Sequence, residues 1–300
     1  NTFSNEVLTF EKEATEKDSV YWKKLRPVPL TIEEVRDYKI KDSIKVVRKS
    51  KKYLDSVNKK QNKFSFLSPI TGYTYRNSYE KWAVSYNGLL GNFNFNTVQG
   101  FNTSVGFNYF KRQNDKGKWW NIGIKANYGF SDKKLRGSLA YRQQFNRLNR
   151  KEIGISAGFR ETTQFNDRNP ISTSMNASYA LFDKKNLIRL YEKTFAKASY
   201  RQEVVNGVYV QTSVEYSDRN PLSNTTDYDW CRCEDAVYEP NIPNNLDYAF
   251  TPHQALIWET KVLLRYKQKY LSYPNRKIIL GSKVPDLLLI YRKGINGLGS

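Results

Sequence analysis

Cys231 and Cys233 stand one residue apart in a stretch that also holds Asp227, Asp229, Glu234 and Asp235, and they are the only two thiols of the chain. Two thiols do not close a tetrahedral zinc site, which needs four ligands, and the single histidine, His253, lies well downstream. The pair therefore reads as a local disulfide or as two free thiols in a loop. A histidine-based triad would have to use His253, whose neighbours Thr251 and Pro252 read as a strand entry. The chain carries no glycine-rich phosphate loop, no nucleophile motif and no metal-ligand spacing, so no cofactor or metal is expected and the reading is non-enzymatic.

What remains is charge. The 300 residues include 49 Lys plus Arg against 29 Asp plus Glu, a formal net charge of +20. A surplus of that size raises nucleic acid as a partner, but a nucleic-acid footprint clusters on one element. Here the first 63 residues carry 16 basic and 10 acidic side chains, and the larger part of the surplus is spread over residues 64 to 300. In that remainder basic residues alternate with apolar ones or sit in turns, so no nucleic acid is expected. Lys125, Arg142, Arg160, Arg201 and Lys261 are the candidates for the lining of a wet interior, and anionic lipid headgroups are the counter-charge for basic residues at a membrane rim.

Periodicity points to the elements that would position these cations. Trp120, Ile122, Ile124, Ala126, Tyr128 and Phe130 fall on one face of a strand, with Asn121, Gly123, Lys125, Asn127 and Gly129 on the other. The same alternation covers Trp82 to Tyr86, Phe101 to Tyr109, Leu135 to Phe145, Ile153 to Phe159, Met175 to Leu181, Ala196 to Val204, Val208 to Tyr216, Leu256 to Tyr266 and Val284 to Lys293. That is about ten strands. Turns are expected at Asn114 to Gly117, at Ser131 to Lys134 and at the Asn206-Gly207 hairpin. The repeated Asp-Arg-Asn-Pro words, Asp167-Arg168-Asn169-Pro170 and Asp218-Arg219-Asn220-Pro221, read as turn staples in which the arginine pairs with a carboxylate.

Strands of ~9 to 11 residues with segregated faces, and hardly a helix between them, are the pattern of a transmembrane antiparallel β-barrel. No run of eighteen apolar residues exists, so a membrane crossing would fall to strands. Mean hydropathy is low, at -0.71, as a barrel allows when only one face of each strand meets lipid. Aromatic residues make up 15% of the chain, including 22 Tyr and 6 Trp, which suits interfacial girdles. A soluble β-sandwich also alternates, but with shorter strands and outer faces richer in Glu, Asp and Thr than in glycine.

Residues 1 to 67 differ in kind. Thr31 with Glu34 forms a capping box after Pro27 and Pro29, and one or two helices are expected, the main one lysine-rich and running from about Thr31 to Val57, outside the bilayer. The barrel is then expected over 68 to 300. The segment Asp218 to Pro252 is too long for a simple turn. If Thr71 to Arg76 is a strand, that loop lies on the side opposite the N-terminal helices; a count starting at Tyr79 puts it on their side. The first is preferred.

The words Asp18-Ser19-Val20-Tyr21-Trp22, Leu25-Arg26-Pro27-Val28-Pro29-Leu30-Thr31 and Lys51-Lys52-Tyr53-Leu54-Asp55-Ser56, followed by Gly72-Tyr73-Thr74, resemble a family of unknown function. Its members join a carboxypeptidase-regulatory-like β-sandwich to an outer-membrane β-barrel. The resemblance implies a Gram-negative outer-membrane protein with its N-terminal segment in the periplasm and the sandwich upstream of Asn1. The barrel is similar in plan to the BamA-like assembly and secretion superfamily. Leu135-Arg136-Gly137-Ser138 departs from that superfamily's Arg-Gly motif, which an aromatic residue follows. The chain also ends at Gly299-Ser300 without the aromatic residue of a final barrel strand, so an incomplete barrel is expected.

The expected function is envelope biogenesis or translocation, with outer-membrane lipid and other envelope proteins as partners. Alternatives are an anion-attracting channel and a surface receptor whose long loop binds a partner.

Overall fold

The computed structural model describes residues 4–11, 17–113, 117–165, 171–231, 236–243, 248–274 and 276–295. The N-terminal region opens with strand β1 (Ser4–Thr9) and helix α1 (Ser19–Leu25), whose N-cap Asp18 accepts from Tyr21 N. The capping box is present at Thr31: its hydroxyl accepts from Glu34 N while Glu34 reaches back to Thr31 N at 2.9 Å. The main helix expected from about Thr31 to Val57 is divided into α2 (Ile32–Lys49) and α3 (Lys51–Gln61). Ser50 divides them. It takes an extended backbone, donates its hydroxyl to Val47 O and caps α3 by accepting from Tyr53 N, the competition with helical bonds at which serine excels. No residue of α2 is buried.

After the short helix α4 (Ser68–Thr71) come β2 (Tyr73–Asn77), β3 (Trp82–Tyr86), β4 (Phe93–Asn96), β5 (Gly100–Arg112), β6 (Trp119–Gly129), β7 (Leu135–Asn146) and β8 (Lys151–Gln164). Helix α5 (Thr173–Asp183) interrupts them, and β9 (Leu190–Val205), β10 (Val208–Pro221), β11 (His253–Leu264), β12 (Gln268–Tyr273), β13 (Arg276–Gly281) and β14 (Leu287–Ile295) complete the order. The fold is mostly β. Its main element is an antiparallel meander of eleven strands in the order β14-β11-β10-β9-β8-β7-β6-β5-β3-β2, with β4 paired onto β5. From β5 to β11 the strands run 11 to 16 residues, well beyond the usual ~5 to 6 of globular sheets.

Several expectations change. The sheet is not closed into a barrel: among the described residues no ladder joins β14 to β2, and both keep a free edge. The Met175 to Leu181 stretch is helix α5, capped by Ser172 accepting from Met175 N and ended by Lys184 in the left-handed conformation. Asn176, Ala180 and Leu181 are its buried residues, a spacing of 4 to 5 that belongs to a helix face and not to alternation. Residues 268–281 leave the meander as the hairpin β12–β13, and β1 pairs with β12 in parallel, so the N-terminal segment contributes a strand as well as helices. Tyr73–Asn77 is a strand, in line with the preferred reading of that segment.

The short connections after β2, β5, β7, β9 and β11 gather at one end of the sheet. Helix α3 docks there, with Asn58 Oδ1 accepting from Ser78 N and Asn62 Nδ2 donating to Arg76 O. The longer connections from β8 to β9 and from β10 to β11 leave and rejoin the sheet at the opposite end, where Thr225 N donates to Thr97 O. No helix among the described residues is long and apolar enough to cross a membrane.

Candidate functional site

Ladder register sorts the side chains of the sheet into two faces. Phe107, Ile124, Leu139, Ala157, Ala196, Tyr216, Leu256 and Ile295 stand directly opposite one another from β5 through β11 to β14. This row is apolar, yet Phe107 is 49% exposed, Ile124 54% and Leu139 51%. Toward the short-turn end the same face carries a run of stacked rings, Tyr75 on Trp82 at 5.5 Å, Trp82 on Tyr109 at 6.0 Å and Tyr109 on Trp120 at 4.9 Å. One residue along, the register exposes a different chemistry. Asn108, Gly123, Ala140, Ser156, Lys197 and Glu215 form a row on the opposite, polar face, and the cavities open there.

The five candidate cations do not converge. Lys125, Arg142, Arg201 and Lys261 share the polar face, because they pair with Gly106, Asn121, Gln211 and Gln211 respectively in its rows. Arg160 falls out of register. It sits in a bulge between Gly158 and Glu161 at φ +51, where its N donates to Thr194 Oγ1. Arg201 is bonded to Glu152 at 2.6 Å and Lys261 to Glu259 at 3.0 Å, so these two carry less free charge than the sequence suggested.

At the long-segment end, Lys125 faces a cavity of about 290 Å³ that Asn127, Gln99, Arg136 and, from α5, Asn176 also line. Arg136, on β7, is 2% exposed. Its guanidinium bonds Asp132 and lies 4.0 Å from Glu192 on β9, while its Nε and Glu192 Oε2 have no hydrogen-bond partner. A buried amide chain ties the surrounding segments together: Asn176 Oδ1 accepts from Leu187 N and Ile188 N, its Nδ2 donates to Asn186 Oδ1, and Asn186 Nδ2 donates to Thr97 Oγ1. Phe95, Ala180, Leu181 and Tyr238 form the dry cluster beside it. Tyr238 donates to Ala180 O at 2.7 Å, and burial, with Asp229 and Asp227 nearby, pushes its phenol up to about 12.

At the short-turn end, Arg201 and Lys261 line a second cavity of about 640 Å³ together with Arg147, Arg150, Arg265 and Lys277. Its floor is ordered around Glu203, which is 2% exposed and whose Oε1 accepts from Gly207 N, Gln268 Nε2 and Lys277 Nζ. Gly207 holds φ +83 in the β9–β10 turn, where a Cβ would come within 2.4 Å of Arg265 O. Arg265 grips Asp286 through two nitrogens, at 2.9 and 2.6 Å, and this bond holds the Asp286 carboxyl below the usual carboxylate range. Sequence reading found Arg201 and Lys261 by alternation and missed the other four. The signal for Arg147, Arg150 and Arg265 was the basic content of the 147–150 and 265–267 turns, once the turns are known to share one end; Lys277, on β13, had none.

Asp218 and Arg219 lie in β10, paired with Thr194 and Lys193 on one side and with Gln254 and His253 on the other, so the second Asp-Arg-Asn-Pro word is strand and not turn. Arg219 Nε donates to Ser217 Oγ and its guanidinium lies over Tyr191. Asp167 and Arg168 lie outside the described residues, as do Asn114 to Lys116 and Cys233. Cys231 is disulfide-bonded. His253 is exposed, with Nδ1 3.0 Å from Thr251 O and its ring against Phe250.

No curated protein and no solved structure matches the chain. A family model does match over residues 67–300, the span that holds the whole meander and both cavities, and on that match the chain belongs to the family of unknown function DUF5686, through its C-terminal domain.

Proposed function

We propose that this chain forms part of the wall of an outer-membrane β-barrel of the BamA-like type, non-enzymatic, that serves envelope biogenesis or translocation. The observation that carries the reading is the exposed apolar row from Phe107 to Ile295, flanked by the Tyr75–Trp82–Tyr109–Trp120 stack. In water such a face is an aggregation surface, whereas in hydrocarbon it is at its preferred partner. From Trp120 to Tyr128 the alternation spans about 27 Å along the strand, of the order of a bilayer's apolar band. In this reading the free edges of β14 and β2 pair with further strands to complete the cylinder, which suits Leu287 to Tyr291, exposed on both faces of β14. The disulfide at Cys231 fits an oxidising compartment.

Short turns face the periplasm in such barrels and long segments face outward. The short-turn end with α3 then lies in the periplasm, and 222–252 lies outside. Outer-membrane lipid and other envelope proteins are the proposed partners, and nucleic acid is not. An anion-attracting channel is disfavoured by the Glu152 and Glu259 partners of Arg201 and Lys261, and by α5 standing in the wall of the cavity that Lys125 faces. A receptor role for the 222–252 segment is the second reading, favoured by its anchoring through Asn241 to Leu190 and Leu222.

The test has two stages. The chain in its full-length protein should require detergent and migrate differently on a gel before and after heating, and Leu139→Arg on the apolar row should abolish that folded form, at a cost of about 2–4 kcal/mol. Depletion should then lower the levels of other outer-membrane proteins or surface lipids; an unaltered envelope sinks the biogenesis role.

A further inference from the structure

The short-turn cavity is strongly basic, and its charge is unevenly compensated. Six cations line it. Arg201 pairs with Glu152, Lys261 with Glu259, Arg265 with Asp286 and Lys277 with Glu203, each within 3.0 Å. Arg147 and Arg150 have no carboxylate partner among the described residues. Two positive charges are thus left over at one concave place, where protein walls focus the field.

Their surroundings are ordered. The Arg150 and Arg265 guanidinium groups both lie against the Tyr209 ring, at 5.6 and 5.9 Å from its centre, and the Tyr209 hydroxyl donates to Gln268 Oε1 at 3.0 Å. Gln268 is fully buried and tied to both Glu203 and Asn206. Arg147 packs its stem along Gly117, where a Cβ would come within 2.7 Å of Arg147 Cδ. The two free guanidinium groups are therefore carried on a floor whose own hydrogen bonds are largely made.

We propose that this basin binds a dianionic group of the phosphate class, with Arg147 and Arg150 as its principal ligands. Guanidinium presents parallel N–H donors that match two phosphate oxygens at once, and two uncompensated arginines match a dianion in charge. A cavity of about 640 Å³ is larger than one phosphate, so it takes the group as part of a bigger molecule, either a soluble phosphoester or the headgroup of a phosphorylated lipid. The inference rests on the basin alone and stands whether or not the apolar face meets a bilayer.

The experiment is a calorimetric titration of the purified full-length protein, held in a neutral detergent, with pyrophosphate, repeated with Arg147→Gln, Arg150→Gln and the double variant. Each single change should weaken binding about 5- to 10-fold, and the pair about 30-fold or more. Arg142→Gln removes the same charge from the same face outside the basin and should change the affinity less than about 2-fold. Circular dichroism of each variant checks that it is folded. Displacement of pyrophosphate by micelles containing phosphatidic acid, and not by phosphatidylcholine micelles, assigns the lipid source; pyrophosphate binding without displacement assigns the soluble one. Either result upholds the site. Undiminished binding by the double variant overturns the proposal, as does an Arg142→Gln loss equal to that of Arg150→Gln, which would reduce the effect to bulk charge.

Discussion

The two ends of the polar face solve the same problem, holding arginine on a β-sheet, in opposite ways. At the long-segment end Arg136 is buried beside carboxylates, and its cavity is also lined by Phe95 and by Asn176 of helix α5. At the short-turn end Arg147 and Arg150 stay exposed, uncompensated and supported from beneath. The same guanidinium is a structural strut where it is buried and ion-paired and a ligand-ready group where it is exposed and unpaired, so burial decides its role here more than sequence context does.

The contrast predicts unequal mutational costs. Arg136→Met leaves the buried Asp132 without its cation and Glu192 with only Lys134, 3.8 Å away, and should cost about 3–5 kcal/mol in urea unfolding. The basin variants Arg147→Gln and Arg150→Gln should cost a few tenths at most by the same measure. Equal losses at the two ends would erase the distinction. Next in size is Leu181→Ala, which hollows the cluster with Phe95 and Tyr238 and should cost about 2–4 kcal/mol. Its effect should appear locally, as faster amide exchange in α5 with the ladders from β5 to β7 unchanged.

Legibility in the sequence divides along the same line. The ladders from β5 to β11 were legible because each face is uniform over 11 to 16 residues, so register has one solution. Arg201 and Lys261 were legible for the same reason. Helix α5 was not: Met175, Ala177, Tyr179 and Leu181 alternate by coincidence, and only the Ser172 cap pointed to a helix. The Asp218 to Pro221 word obeyed turn chemistry locally and was overruled by ladders on both sides. Pairing of β1 with β12 joins residues more than 250 apart, beyond any local rule. The basin is a product of topology, since its turns are scattered in sequence and meet only because successive hairpins close at one end.

Tyr238 makes the dry end sensitive to alkali. Its phenol ionises near 10 in the unfolded chain and at about 12 in the folded one, so the folded state holds the proton more tightly. The associated stability is complete below pH 10 and is lost as pH rises toward 12, on the order of 2 kcal/mol once nearby solvent is allowed for. The difference in stability between the wild type and Tyr238→Phe should therefore shrink or reverse across that window, while staying flat from pH 6 to 9. A difference that stays constant to pH 12 would show the phenol to be solvated.

The wet end has the converse dependence and the smallest effect. Asp286 is held below the usual carboxylate range chiefly by its hydrogen bond to Arg265, so its contribution is present above the ordinary carboxylate value near 3.9 and is lost as pH falls through the lowered folded value. The pair is partly exposed, and salt screens it, so melting temperatures of the wild type and Asp286→Asn should differ slightly at pH 6 and converge toward pH 2. The same variant releases Arg265 from its carboxylate and leaves three uncompensated guanidinium groups, Arg147, Arg150 and Arg265, in the basin where there were two. Pyrophosphate affinity should then rise, by about 3-fold at low salt, while stability falls. An affinity that fell with stability would mean that Arg265 must be held in place by Asp286 before the basin can act, and the wet end would then resemble the dry one in depending on its ion pairs.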